Sequence, residues 1–191
     1  YYIYTKNEEQ LRNVAMSSIT NLEKGITGGI PTTKNLTVYT SLPTEPGEED
    51  YNAVLETLVR NYSLVLIDCD FDTPVEYFSA AQEIYLVQSM DILTIQPLTA
   101  FLRELKAKNV LDTEKVRVII NKATKVRALN PKIIIGGISY YNDPAMSFIT
   151  ELLDKDRVKY SVIPFDEQAY IRYLEGIVEC KISLNGYPKN F

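Results

Sequence analysis

Three carboxylates, Asp68, Asp70 and Asp72, close the apolar run of "YSLVLIDCDFDTP" at residues 62–74. A carboxylate ending a buried strand is costly unless it is hydrogen-bonded or meets a cation, and three near one strand end repel one another. A hydrated Mg²⁺, held through one or two carboxylates and completed by phosphate oxygens, would suit that cluster. Asp68 is therefore the candidate for the metal, with Asp70 and Asp72 beside it. The alternative is local: Asp72 or Thr73 caps the next helix and Asp70 is solvated.

Two other strand ends carry residues able to hold a base. Asn121 and Lys122 close "VRVIIN", and a carboxamide there can donate to and accept from a purine edge, although turns also favour asparagine. "IPFDEQAY" sets Pro164 and Phe165 where a base could stack. Asp166, at the edge of that pocket, doubles as a cap for the following helix, with Glu167 in its first turn. The stretch "NKATKVRALNPK" holds Lys122, Lys125, Arg127 and Lys132 without an acid. It reads as a solvated loop, since it lacks the density and aromatic interleaving of a nucleic-acid site.

The chain of 191 residues is 46% hydrophobic with a formal charge of −5, which suits a globular core and argues against a surface devoted to nucleic acid. It contains no histidine, so any chemistry falls to carboxylates, lysines, hydroxyls or backbone. Two cysteines, Cys69 and Cys180, make no disulfide framework and are read as reduced. No run approaches the length of a membrane span, and the first ten residues lack the pattern of a signal peptide, which points to the cytoplasm.

These residues need elements to position them, and short β-rich runs alternate with helical patterns from residue 35 onward. Strands are expected at 35–42, 63–70, 83–89, 115–123 and 157–165, and a less regular one at 132–139, where two glycines suggest a bend. Helices are expected over the stretch beginning at Glu48, over the run from Pro97, and near 145–155, with a short segment at 75–81. Runs such as "LVLI" and "VRVII" are apolar without strict alternation, as in parallel strands covered on both faces. The expected fold class is α/β, a doubly wound, mainly parallel sheet with helices on both faces. Ligands in such sheets bind beyond the carboxyl ends of the strands. Residues 1–34 read as a helix and a connecting loop, and 35–191 as the body of a single domain. "GITGGIPTTK" is rich in glycine but fails the spacing G-x-x-x-x-G-K-[ST], and its Lys34 precedes a strand, so it reads as a plain connection.

In order and spacing, residues 35–175 resemble the MinD/ParA-type P-loop ATPases, including the pilus-assembly relatives TadZ and CpaE. "YSLVLIDCDFDTP" is similar to their Walker B strand and switch II, "IYLVQSMD" and "PLTAFLRELK" to the next strand and helix. "VRVIINKA" looks like the strand whose asparagine binds adenine, and "VKYSVIPFDEQAY" like the closing strand that holds the base. The family's Walker A loop has no counterpart here, and the glycine that usually follows the switch II proline is Val75. The resemblance thus implies a P-loop NTPase-like domain whose N-terminal part, with the phosphate loop, lies upstream of Tyr1.

The resemblance implies an ATP- and Mg²⁺-binding ATPase that positions or assembles a cellular machine such as a pilus, secretion, conjugation or partition apparatus. Asp68 would be catalytic and metal-binding, and Asp70, Asn121, Lys122, Pro164, Phe165 and Asp166 would hold the nucleotide. A homodimer through the nucleotide face and a protein partner in a membrane- or DNA-associated machine follow from the same likeness, with a cytoplasmic or peripheral inner-membrane location. Direct nucleic-acid binding is not expected, and the chain alone should hydrolyse no ATP. The alternative is a scaffold of the same fold that has lost turnover. A response-regulator receiver is disfavoured, because "SITNLEKGITG" offers no acidic pair and Lys122 is followed by alanine, not proline.

Overall fold

A computed structural model describes residues 18–40, 50–142, 145 and 149–178. Most of the first expected helix, the acids Glu48 and Glu49, and Cys180 lie outside the described residues. The chain divides into two compact units, Tyr1–Tyr77 and Phe78–Phe191. The boundary expected at residues 34 and 35 falls instead within a hairpin turn.

In the first unit a short helix, α1 (Ile19–Glu23), is capped by Ser18, whose Oγ accepts from Thr20 N at 3.1 Å. The glycine-rich stretch read as a plain connection forms strand β1 (Ile30–Thr33), antiparallel to β2 (Leu36–Val38). Gly29 makes this closure possible: a Cβ there would lie 2.3 Å from Thr37 Cγ2 and within 3 Å of the Tyr39 ring. Helix α2 (Tyr51–Asn61) starts at Asp50, whose Oδ1 accepts from Ala53 N at 3.0 Å. Leu22, Val54 and Tyr77 form a small core flanked by Ile19, Tyr39, Tyr51, Leu55 and Leu58. Tyr51, Val54, Leu55 and Leu58 share the helical spacing that the sequence shows, so one stripe of α2 is inward.

The second unit is α/β and holds a three-stranded parallel sheet flanked by helices. Its strands β3 (Ile84–Ser89), β4 (Val116–Ala123) and β7 (Lys159–Pro164) lie in the order β3-β4-β7. Ile84 pairs with Val116 and Leu86 with Val118, which puts these side chains and Ile120 on one buried face. Tyr85 and Val87 occupy the opposite face of β3 and are more than half exposed. Helix α3 (Val75–Ala80) spans the boundary between the units, and α4 (Ile95–Ala107) follows β3. Pro97 sits in the first turn of α4, where its missing N–H costs nothing, and Leu98, Leu102 and Leu105 are buried as their spacing requires.

Two expectations are corrected here. Residues 132–139 form a helix, α5 (Pro131–Ser139), not a strand. Asn130 Oδ1 accepts from Ile133 N at 3.1 Å and Pro131 occupies the first turn, a start signal that outweighs the β-branched run. Ile134, Ile135 and Ile138 are buried, while a Cβ on Gly137 would sit 3.3 Å from Ile95 Cδ1, so glycine permits the close approach to α4. The helix expected near 145–155 is replaced over its described part by strand β6 (Ile149–Glu151), antiparallel to β5 (Tyr140–Asn142). The last described element is α6 (Glu167–Val178).

Candidate functional site at the ends of strands 4 and 7

The parallel ladder between β4 and β7 runs from Arg117–Lys159 to Ile120–Val162, then shifts, and resumes with Ala123 beside Pro164. Phe165 N donates to Ala123 O at 2.8 Å, extending the pairing past the shift. Asn121 and Phe165 are thereby drawn to one end of two adjacent strands. At the centre of the irregularity Lys122 has φ +53°, the left-handed region that L-residues other than glycine seldom occupy, at a cost of about 1–3 kcal/mol. Its backbone N–H donates to Asn121 Oδ1 at 2.9 Å, which orients the carboxamide and stabilises the strained turn.

The strained backbone carries the Lys122 ammonium over the Tyr170 ring, 5.0 Å from its centroid. Tyr170 lies 5.9 Å from Phe165 and stacks on Tyr173 at 6.3 Å with 25° between planes. Asp166 Oδ1 accepts from Ala169 N at 2.8 Å, so its described role is the N-cap of α6, as the capping alternative held. That cap sets the direction of the helix that presents Tyr170 and Tyr173. Phe165 remains 46% exposed, although its ring packs on Tyr170. Asn121 Nδ2 has no protein partner among the described residues, so it is available as a donor, while Oδ1 keeps a second lone pair. Pro164 ends β7 and is exposed.

Sequence reasoning missed Tyr170 and Tyr173. Their signal was an i, i+3 aromatic pair one turn beyond a capping aspartate, legible only once Asp166 is known to start the helix. It also passed over Gln88 as a side chain. Buried at the end of β3, Gln88 donates from Nε2 to Ser89 O at 2.9 Å, Asp91 O at 3.1 Å and Thr94 Oγ1 at 2.5 Å, tying down the turn into α4. Ser89 stands opposite Asn121 in the ladder, so this turn borders the same sheet end.

The aspartate cluster belongs to the first unit and has a different character. The strand expected over 63–70 is absent: residues 64–70 make no ladder, and Leu64 and Leu66 are 75% and 80% exposed. Asp68 therefore does not end a central parallel strand: nothing among the described residues pairs this segment. Asp70 Oδ1 accepts from Asp72 N at 3.0 Å and Thr73 Oγ1 at 2.9 Å, and Asp70 N donates to Thr73 Oγ1 at 2.9 Å. This is a self-contained turn of the kind aspartate and threonine favour. Asp68 is exposed, with no hydrogen-bond partner among the described residues. Between them, partial desolvation raises the Cys69 thiol above its ordinary value, with the charges of Asp68 and Asp70 adding to the shift. Among the described residues no three acidic, cysteine or histidine side chains are grouped to hold a metal ion. An Mg²⁺ at Asp68 would therefore draw further oxygens from a ligand or water.

Comparisons with family models, curated proteins and solved structures find no match to this chain.

Proposed function

We propose that the chain binds an adenine nucleotide at the joined ends of β4 and β7 and is the C-terminal portion of a MinD/ParA-like ATP-binding protein with a doubly wound sheet. The observation that carries this reading is the ladder shift with Lys122 in the left-handed region, at the end of two adjacent strands where both Asn121 and Phe165 stand. Backbone strain of this kind persists where the surroundings enforce it, and it clusters at binding sites. In the proposed complex the base lies on Phe165, and Asn121 Nδ2 donates to a ring nitrogen. Pro164 and Asp166 shape the rim, the latter through α6, and Lys122 supplies a cation at the edge. The family likeness assigns Mg²⁺ to Asp68, whose carboxylate is exposed, with Asp70 in the turn beside it; both belong to the first unit, so this assignment stands apart from the base site of the second.

The family likeness supports a role in positioning or assembling a cellular machine, with dimerisation through the nucleotide face and a protein partner. Among the described residues no helix is long and apolar enough to cross a membrane. A scaffold without turnover is the second reading. It is favoured by the unpaired 64–70 segment and the locally satisfied Asp70, neither of which resembles a formed catalytic strand end. Calorimetry of the whole chain with AMP and with Mg-ATP tests both. Saturable AMP binding that is lost in Asn121→Ala and Phe165→Ala supports the site, whereas binding indifferent to both substitutions refutes it. Turnover dependent on Asp68 in a version extended upstream supports the ATPase, and nucleotide binding without turnover there supports the scaffold.

A further inference from the structure

Helix α6 is amphipathic, yet it presents its apolar side to solvent. Tyr170, Tyr173, Leu174 and Ile177 recur at helical spacing, flanked by Ile171 and Val178, and all six are exposed, from 38% at Tyr170 to 83% at Val178. Ala169 is the one buried residue of this helix among the described residues. Arg172 and Glu175 fall away from the stripe by the helical period, so between Tyr170 and Ile177 the stripe carries no charge. A surface helix ordinarily does the reverse and buries such a stripe against a core. A contiguous apolar patch of this kind marks an interaction surface.

The stripe is ordered before any partner arrives. The Asp166 cap fixes the start of the helix, and Tyr170 is held between the Lys122 ammonium and the rings of Phe165 and Tyr173. Aromatic anchors already fixed in place lower the entropy cost of association. Charge narrows what can cover them. The helix carries Glu167 and Glu175 against Arg172 in a chain of formal charge −5, so it lacks the basic face that an anionic lipid surface selects. A second copy of the same uncharged stripe meets no such obstacle. The helix has 12 residues, about 18 Å of contact length. Its six exposed side chains offer about 500 Å² per copy, so a pair buries about 1,000 Å², the lower limit for a specific and reversible interface.

We infer that α6 pairs with α6 of a second copy of this chain, antiparallel about a twofold axis, with Tyr170 of each copy against Ile177 of the other and Leu174 at the axis. A twofold contact uses the same patch on both copies, which a single uncharged stripe supplies. A parallel pair would bring the two Glu167 carboxylates and the two positive helix ends together, whereas the antiparallel pair sets each helix start beside the other's end. The pairing needs no nucleotide, although Tyr170 borders the candidate base site. A chain that dimerises and binds no AMP would lose the nucleotide site and keep the helix pair.

The test is sedimentation of the whole chain, without nucleotide, across a wide range of concentration. A reversible monomer–dimer equilibrium is expected. Leu174→Glu and Ile177→Glu should each weaken it at least about tenfold, since each places a carboxylate in an apolar seam, while thermal unfolding at low concentration stays unchanged because both positions are exposed. Arg172→Glu, away from the stripe, should leave the equilibrium as it is. Orientation is read by disulfide trapping in a background of Cys69→Ser and Cys180→Ser: Leu174→Cys should cross-link to itself, and Tyr170→Cys should cross-link to Ile177→Cys but not to itself. A chain that stays monomeric throughout, a dimer indifferent to both glutamate substitutions, or a dimer broken instead by Val87→Glu on the exposed face of β3 would each overturn the proposal. Self-cross-linking at Tyr170→Cys would overturn the antiparallel arrangement.

Discussion

The joined ends of β4 and β7 and the turn at Asp68–Thr73 drew attention for the same reason, polar residues directly after an apolar run, yet the fold treats them differently. Asn121 and Phe165 are 44 positions apart in sequence and are brought together by a parallel ladder that continues beyond them. Asp70, Asp72 and Thr73 are held by bonds spanning two or three residues, and the apolar run before them is unpaired and exposed. A strand end is fixed in place when non-local pairing continues past it. Without that pairing the same residue types settle into a turn. The contrast also separates strain from satisfaction: Lys122 is held in a costly conformation, whereas Asp70 satisfies its own neighbourhood.

The largest expected effect tests whether the ladder is what holds the first region. Ile120 is fully buried immediately before the shift, so Ile120→Ala should lower stability by roughly 2–5 kcal/mol in denaturant titration. Leu66→Ala, at a position 80% exposed, should stay within about 0.5 kcal/mol. Comparable losses at both positions would mean that the 64–70 segment is as firmly packed as β4, and the contrast would collapse. Next in size, removing the stacking surface by Phe165→Ala should weaken AMP binding by about 1–3 kcal/mol in calorimetry, whereas Asp70→Ala should leave it unaltered.

Strain at Lys122 can be separated from its contact with Tyr170. Lys122→Gly relieves the left-handed backbone and Lys122→Ala retains it, while both remove the ammonium from the ring. The glycine variant should be the more stable by about 1 kcal/mol, measured by thermal unfolding. Equal stabilities would mean that the turn is not strained. In the aspartate turn, Thr73→Ala removes one donor to Asp70 and one acceptor for its N–H at an exposed site. A loss of about 0.5–1 kcal/mol is expected, with the opposite region unaffected.

A separate effect lies in the first unit at high pH. Burial and the hydrogen bond with Tyr62 hold the Tyr39 hydroxyl in its neutral form, pushing its pKa up from 10.0 to about 12. A raised pKa on a group that is neutral when protonated means that its stabilisation is complete below about 10 and is lost as pH rises from there toward 12. Ultraviolet titration should show one tyrosinate forming late, and Tyr39→Phe should remove that late step together with its share of the stability loss.

The amino-acid sequence alone determined the α/β class, the strands at β3, β4 and β7, and the amphipathic stripes of α2 and α4, and it offered capping as one of two roles for Asp166. Each of these rests on local chemistry, either side-chain periodicity or a cap that needs only its own next turn. It also singled out Asn121 and Phe165, because residues following parallel strands belong to the ligand-facing end of a sheet. Tertiary structure alone decided what periodicity leaves open. "KIIIGGIS" is as apolar as a strand, and became a helix through the Asn130–Pro131 start and the room that Gly137 leaves beside Ile95. "SLVLIDCD" has a strand's composition and remained unpaired, because a parallel strand exists only where a neighbour supplies its hydrogen bonds. The left-handed turn at Lys122, the placing of Tyr170 against it, and the opposition of Arg117 and Lys159 are likewise products of register, which depends on segments about 40 residues apart.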